Sequence, residues 1–167
     1  STLMRSSAAS DVYKRQDLKT KMTWSWSKQP SVLTKDVAAM TTSENFTKDS
    51  SSATVKYYKY GHKDQGVTSQ KSIVKTKNAG KGVFTRITMA KNWDTDKKRY
   101  KDVAMAGSIT TSWSIGKKVT QVGVASNYGH TIIGAAPSVS FGGGATISFT
   151  PTWRCVSGDE AYLKVKK

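Results

Sequence analysis

A regular alternation of bulky and small polar side chains between residues 109 and 153 constrains the fold of this chain more than any other feature. Within residues 109–115 the isoleucines and Trp113 occupy every second position, which places them on one face of an extended chain. The pattern recurs in residues 139–141 and 147–149, which flank three consecutive glycines. Two alternating runs joined by glycine predict a β-hairpin, because glycine adopts the positive φ angles of tight turns.

Short alternating runs continue through most of the remaining chain. They cover residues 22–27, 54–60, 70–77, 83–91 and 161–167. About eight or nine short strands separated by turn residues predict an all-β fold, an antiparallel β-sandwich or jelly roll, with a closed β-barrel as the alternative. Two segments break the pattern: residues 34–40 predict a short helix with Thr34 as its N-cap, and residues 41–53 predict a long surface loop.

The N-terminal segment has a composition of its own. Residues 6–16 read Ser-Ser-Ala-Ala-Ser-Asp-Val-Tyr-Lys-Arg-Gln, which matches the in-frame translation of an adapter used in transposase-based sequencing libraries. Such segments are excluded from fold reasoning. We therefore expect residues 1–16 to be non-biological and the gene to come from a bacterial metagenomic read. We also expect the true start, with its signal peptide, to be lost, and residues 17–167 to form a single β-sandwich domain.

The chain is strongly basic. It has 27 lysines and arginines against 11 acidic residues, a formal net charge of +16, and most of the basic residues are lysine. Lysine is a strongly hydrated point charge without the fork of arginine, so this balance favours loose attraction to a polyanionic surface over shaped readout of phosphates. The alternative is that lysines on outward strand faces serve solubility and keep sheet edges from pairing.

The sequence contains few residues that could perform catalysis. Cys155 is the only cysteine, and His62 and His130 are the only histidines. A nucleophile and base formed by Cys155 and His130 is conceivable, but a turn histidine and a structural cysteine are the preferred interpretation. We find no phosphate-binding glycine loop and no convincing pair of catalytic carboxylates. The sequence therefore predicts a protein without enzymatic activity, cofactor or metal.

Two closely spaced aspartates form a candidate site for calcium. Asp94 and Asp96 lie two residues apart in a segment with loop composition, a spacing at which two carboxylates can bind one Ca²⁺ ion. Lys97, Lys98 and Arg99 follow directly. Ion pairing with these neighbours is the expected use of both carboxylates.

The aromatic residues supply the best candidates for ligand binding. Planar rings on a sandwich face or a loop stack on sugar rings or unpaired bases. Trp113 and Trp153 share faces with isoleucine and phenylalanine, which predicts core packing. The candidate ligand-binding residues, which lie outside the apparent core pattern, are Trp93, Tyr100, Tyr58, Tyr60 and Lys56.

A short segment resembles a known family. Residues 126–130, Ser-Asn-Tyr-Gly-His, followed by Pro-Ser-Val-Ser at 137–140, resemble the Ser-Asn/Asp-Tyr-x-His segment of lactococcin-972-type bacteriocins. These are small secreted β-sandwich proteins, so the resemblance implies the same fold class. The spacing after His130 differs and no second histidine follows, so no residue role is transferred.

These observations predict a secreted or cell-surface β-sandwich that binds anionic or carbohydrate polymers of a cell envelope or matrix. Its partners would be an anionic polymer, a glycan or an envelope surface. One alternative is a membrane-acting bacteriocin or pore-forming toxin whose hairpin at residues 139–149 inserts into anionic membrane. The other, ranked lower, is a single-stranded nucleic-acid binder. The sequence leaves the oligomeric state open.

Overall fold

The computed structural model describes residues 4–13, 17–43, 46–62, 66–72, 74–77, 82–114, 121–131, 138–142, 145–150 and 155–164. Within these ranges the chain forms strands and no helix. The strands are β1 (Met4–Tyr13), β2 (Asp17–Trp26), β3 (Lys35–Thr42), β4 (Thr47–Lys59), β5 (Gly66–Ser72), β6 (Val74–Lys77), β7 (Gly82–Thr88), β8 (Ala90–Asp94), β9 (Arg99–Ser114), β10 (Gln121–Gly129), β11 (Ser138–Gly142), β12 (Thr146–Thr150) and β13 (Cys155–Lys164).

The strands form two large antiparallel sheets and one small one. The first sheet has the order β1-β2-β9-β4-β5, with β8 also paired to β9. The second has the order β13-β10-β3-β7-β6, and β11 and β12 form the third by themselves. The sheets stay open at their edges. The all-β antiparallel sandwich predicted from the sequence is therefore confirmed, and the closed barrel is not what forms.

The main core lies between the two large sheets. Met22, Ile109 and Trp113 from the first sheet are fully buried against residues of the second, such as Met40 and Tyr128. The indole N–H of Trp113 donates a hydrogen bond of 3.0 Å to the Thr20 hydroxyl, so this buried polar group is satisfied. The apolar faces predicted for residues 22–27 and 109–115 therefore point inward wherever their side chains are described.

The close packing of this core depends on one glycine. Gly107 lies in β9 directly beneath the ring of Trp24. A Cβ atom at this position would also lie 2.7 Å from the carbonyl oxygen of Thr54 on the neighbouring strand β4, closer than real Cβ contacts allow. Glycine at this position therefore allows the tryptophan to pack against the strand backbone.

The small third sheet packs on the outer face of the second sheet. Val139 and Phe141 of β11 and Phe149 of β12 are buried against Val37 and Phe84. The intervening residues of β11 are exposed, so the predicted alternation of this hairpin is confirmed. The molecule therefore has a second, smaller core outside the main sandwich.

Two predictions for the N-terminal half are wrong. Residues 34–40 were expected to be helical, but they contribute to the strand β3, which is hydrogen-bonded to β10 on one side and β7 on the other. Seven consecutive residues of β3 are buried, so the strand lacks the alternation by which a half-buried strand is recognised. The predicted loop 41–53 contains the first half of β4, whose serine-rich segment pairs with β9. These strands raise the total above the eight or nine expected.

The described segment β1 pairs with β2 in continuous register from Met4 opposite Trp26 to Tyr13 opposite Asp17. This pairing does not test the origin of residues 1–16, which remains a prediction. No helix long and apolar enough to cross a lipid bilayer occurs among the residues described.

Candidate functional site

The hairpin formed by β8 and β9 carries the most exposed aromatic rings of the described residues. Trp93 pairs in register with Tyr100, and their ring centroids lie 5.0 Å apart at an interplanar angle of 76°. Trp93 is 53% exposed and Tyr100 37% exposed, whereas the other large apolar side chains described are buried or partly buried. The two rings therefore form an open corner with free faces toward solvent.

A local hydrogen-bond network holds this hairpin. One carboxylate oxygen of Asp94 accepts hydrogen bonds from the backbone N–H of Asp96 (3.0 Å) and of Lys97 (3.1 Å). Lys98 closes the turn in the left-handed region with φ of 52°. The bond from the Lys97 amide is the main reason that the pKa of Asp94 is lowered, with further help from the Asp96 amide and the positive charges of Lys101 and Lys97.

The Asp94 carboxylate is thus used inside the turn, through backbone bonds rather than the ion pairing expected from the sequence. In the same hairpin the side-chain amide of Asn92 donates to Asp102. Among the described residues no group of three or more histidine, cysteine or acidic side chains could hold a metal ion.

A concavity of about 390 Å³ lies beside the exposed rings. It is lined by Tyr60 and Tyr100, and also by Lys59, Arg99 and residues of the turn. The guanidinium carbon of Arg99 lies 4.5 Å from the ring centroid of Tyr60, a cation–π contact that orders both side chains. We call this concavity, together with the adjoining rings of Trp93 and Tyr100, the hairpin site.

The hairpin site has an excess of positive charge. Lys97, Lys98 and Lys101 are exposed, and none of them forms a salt bridge with another described residue. The neighbouring carboxylates of Asp94 and Asp102 already accept local hydrogen bonds. The lysines are therefore available to an external anion.

The structure brings together three of the five candidate binding residues. Trp93, Tyr100 and Tyr60 meet at the hairpin site. Tyr58 is half-buried against the main core, and Lys56 is exposed on β4; neither lines the concavity. The ligand-binding role of all five stays a prediction.

Sequence reasoning missed Lys59 and Arg99 as members of this site. Arg99 was read only as a partner for the neighbouring carboxylates. The sequence did contain one signal for Arg99 as a site residue: it directly precedes Tyr100, and Lys98 and Lys101 flank this pair.

A second polar cluster lies inside the sandwich and was not predicted. Asp36 is fully buried and accepts a hydrogen bond of 2.5 Å from the Tyr128 hydroxyl. The Nδ1 atom of His130 lies 3.0 Å from both oxygens of this carboxylate, and the backbone N–H of Thr131 donates to it at 3.0 Å. The Trp26 indole donates to the Tyr128 hydroxyl at 3.3 Å. The cluster therefore connects the two large sheets.

Burial shifts the titration of two tyrosines. Desolvation, followed by the negative charge of Asp36, raises the pKa of Tyr128 well above its ordinary value. Desolvation alone raises the pKa of Tyr57 to about 12, and its hydroxyl donates to the Thr88 carbonyl at 2.7 Å. Both hydroxyls therefore remain protonated donors at neutral pH.

The pairing of His130 with Cys155, considered from the sequence, is not tested by the described side chains. Cys155 lies opposite Gly129 in the register of β10 and β13. The side chain of Cys155 lies outside what the structure describes. The His130 ring turns toward Asp36 on the inner side.

Comparisons with known proteins find only distant structural likenesses. No protein-family model and no curated protein sequence matches the chain. Among solved structures, it is similar to the collagen-binding domain of a Staphylococcus aureus adhesin, with 9% identity, a TM-score of 0.49 and 97% of each chain covered.

It is also similar to the collagen-binding subdomain of the Enterococcus faecalis surface protein ACE, with 7% identity, a TM-score of 0.41 and coverage of 99% of this chain and 96% of the other. The KRT10-binding region domain of the pneumococcal protein PsrP matches with 11% identity, a TM-score of 0.27 and coverage of 77% and 87%. Likenesses this distant say nothing about what this chain binds.

Proposed function

We propose that this protein is a non-enzymatic binding protein, secreted or held at a cell surface, whose hairpin site binds an anionic polymer of a cell envelope or matrix. The observation that carries the proposal is the hairpin site itself. Two exposed aromatic rings, Trp93 and Tyr100, stand beside exposed lysines that form no salt bridge with a described residue, while the nearby carboxylates accept hydrogen bonds within the hairpin.

The physical chemistry of the site supports a polymer rather than a small enclosed molecule. The rings and lysines lie on an open hairpin surface, so each contact is weak alone, and affinity comes from many contacts along one chain. Exposed lysines attract distributed charge without demanding a bidentate geometry. Ring faces add short-range stacking with sugar or base planes.

Removal of the two rings tests the proposal. In the double variant Trp93→Ala/Tyr100→Ala we expect affinity for an acidic polysaccharide to fall by at least about 30-fold, since stacking on each ring is worth about 1–3 kcal/mol. Isothermal titration calorimetry measures the change. The variant Trp93→Phe/Tyr100→Phe keeps both ring faces and is the matched control, for which we expect most of the affinity to remain.

The same titration includes collagen, a neutral polysaccharide, single-stranded DNA and anionic vesicles. Tighter binding of collagen or of the neutral polysaccharide than of the acidic one would contradict the proposal. The proposal would also be contradicted if the acidic polysaccharide bound equally well to the unchanged protein and to both double variants.

The membrane-acting alternative has a specific structural cost. The hairpin of β11 and β12 buries Val139, Phe141 and Phe149 against the second sheet, so insertion would first expose both this apolar face and the surface beneath it. We therefore expect no release of dye from anionic vesicles. Leakage at low protein concentration would favour the membrane-acting class instead.

A further inference from the structure

A second concavity of about 310 Å³ adjoins the hairpin site. It is lined by residues of the segment after β2, including Lys28 and Gln29. Lys59, the last residue of β4, and residues of the turn that follows, including His62, also line it. Lys59 lines both concavities, so they adjoin at this residue. We call the second concavity the turn site.

A rigid turn separates the two sites. The N–H of His62 donates to the carbonyl of Lys59 at 2.8 Å, and Gly61 has φ of 74°, which are features of a four-residue turn with a left-handed third residue. The Gly61 N–H also donates to the side chain of Gln29 at 2.8 Å, which ties the turn to the segment after β2. Tyr60 N–H donates to the Lys101 carbonyl at 2.8 Å, which ties it to β9.

Both sites are cationic. Among the residues that the structure describes, the turn site is lined by Lys28 and Lys59 and by no acidic side chain. The hairpin site shares Lys59 and adds Lys97, Arg99 and Lys101, and these basic residues outnumber Asp94 and Asp102 in its lining. A path of positive charge therefore runs from one site to the other across Lys59.

We propose that a single linear acidic polysaccharide, carrying carboxylate or sulfate groups, binds across both sites with Lys59 between them. This inference rests on the proposed function and deepens it. The near-perpendicular rings of Trp93 and Tyr100 favour this class of polymer, since such a corner contacts a puckered sugar ring on two sides, whereas flat bases stack best on parallel planes. The lysine-rich lining agrees with this, because sulfate and uronate groups along a glycan need charge rather than base-edge recognition.

Oligosaccharides of increasing length test the inference. We use heparin-derived di-, tetra-, hexa- and octasaccharides and measure Kd by the quenching of tryptophan fluorescence. A chain that spans both sites gains effective concentration from its linkage, so we expect affinity to rise by about 10- to 100-fold between the shortest and the longest oligosaccharide.

The variant Lys28→Gln/His62→Gln removes charge and bonding groups from the turn site alone. We expect it to bind the disaccharide as the unchanged protein does, but to lose most of the gain with length. The control is Lys19→Gln, which removes one exposed lysine on β2, roughly 23 Å along the strand from its end at Trp26, beyond which Lys28 lies. Both variants concern exposed side chains, and thermal melting verifies that each remains folded.

The outcomes separate this inference from the proposed function. Equal affinity at all lengths, or an unchanged gain in Lys28→Gln/His62→Gln, would overturn the two-site arrangement and leave the hairpin site as the whole binding surface. Binding of a deoxythymidine oligonucleotide as tightly as an octasaccharide would overturn the assignment to a polysaccharide. If Trp93→Ala/Tyr100→Ala bound the acidic polysaccharide as tightly as the unchanged protein, the proposed function itself would be overturned.

Discussion

At the scale of single residues, Asp36 combines charge and burial in an unusual way. It is the one charged side chain that the described part of the protein buries completely. Its two oxygens accept hydrogen bonds from the Tyr128 hydroxyl and the Thr131 amide and contact Nδ1 of His130. A buried carboxylate is tolerated when its lone pairs are filled in this way. The arrangement accounts for Asp36, Tyr128 and His130 as a link between strands.

The first prediction follows from this network. Replacing Asp36 by alanine leaves the buried Tyr128 hydroxyl and Thr131 amide, and the partly buried His130 ring, without this partner, so we expect the free energy of unfolding to fall by about 3–5 kcal/mol. Tyr128→Phe removes one neutral hydroxyl and should cost about 1–2 kcal/mol. Urea denaturation measures both changes.

Asp96→Ala, at an exposed turn position, is the matched control, with an expected change within about 0.5 kcal/mol. If Asp36→Ala proved as mild as Asp96→Ala, the network would not be a stabilising one. If it remained folded but lost polymer binding, the role assigned to Asp36 would be wrong.

At the scale of elements, the turn between β8 and β9 sets the geometry of the hairpin site. Asp94 satisfies two backbone amides at the tip, and the register opposes Trp93 to Tyr100 directly. The Tyr60 ring reaches the same site from the end of β4 through its contact with Arg99. The position of the rings therefore depends on a turn that is formed by backbone hydrogen bonds to a single carboxylate.

The second prediction concerns this carboxylate. In Asp94→Ala we expect the amides of Asp96 and Lys97 to lose protection from hydrogen exchange, measured by NMR, and polymer affinity to fall severalfold because the rings are less preorganised. The pKa of Asp94 is lowered, so its ionised form holds the turn at neutral pH, and this support is lost only as the pH falls below the ordinary value of 3.8.

Acidification to about pH 5 should therefore leave the protection of both amides unchanged. Early loss of protection near that pH, or full protection in Asp94→Ala, would show that another group holds the turn. Asp102→Ala is a useful comparison, because it removes the acceptor of Asn92 but leaves the bonds at the tip.

Among the elements, those with period-two alternation could be predicted and the others could not. The hairpin of β11 and β12 and the inward face of β9 followed directly from their patterns. The strand β3 did not, because its burial on both faces removes the polar half of the alternation and leaves an apolar run compatible with a helix. The serine-rich start of β4 carries no apolar face at all, and only pairing with β9 makes it a strand.

The candidate site was predicted in part for a related reason. Trp93 and Tyr100 stood out because they lie in a charged segment away from the alternating core residues. Tyr58 and Tyr60 have the same local pattern and both pack, partly buried, against the core, yet of the two only Tyr60 also lines the concavity. The contact of Arg99 with Tyr60 joins residues distant in sequence, and no spacing in the chain indicates it.

At the scale of the whole molecule, the net charge of +16 acts over the entire surface, and the binding proposal requires that position matters as well as total charge. A basic protein without a site would bind any polyanion in proportion to its charge, and removal of any two lysines would have the same effect. If binding depends on a site, replacing lysines near the hairpin should weaken binding more than replacing lysines elsewhere. Lys19 and Lys21 are exposed on β2 and pair with the far end of β9, roughly 35 Å from Tyr100.

The third prediction uses this difference. Binding of a polyanion to lysines releases counterions, so affinity falls linearly with the logarithm of salt concentration, with a slope proportional to the number of charges neutralised. In Lys97→Gln/Lys101→Gln we expect the slope for an acidic polysaccharide to decrease in magnitude by about 1–2, and affinity at low salt to fall by about tenfold. In Lys19→Gln/Lys21→Gln, which has the same net charge, we expect the slope to remain within about 0.3 of the unchanged protein. Equal slopes for the two double variants would mean that the overall charge, and not the hairpin site, attracts the polymer.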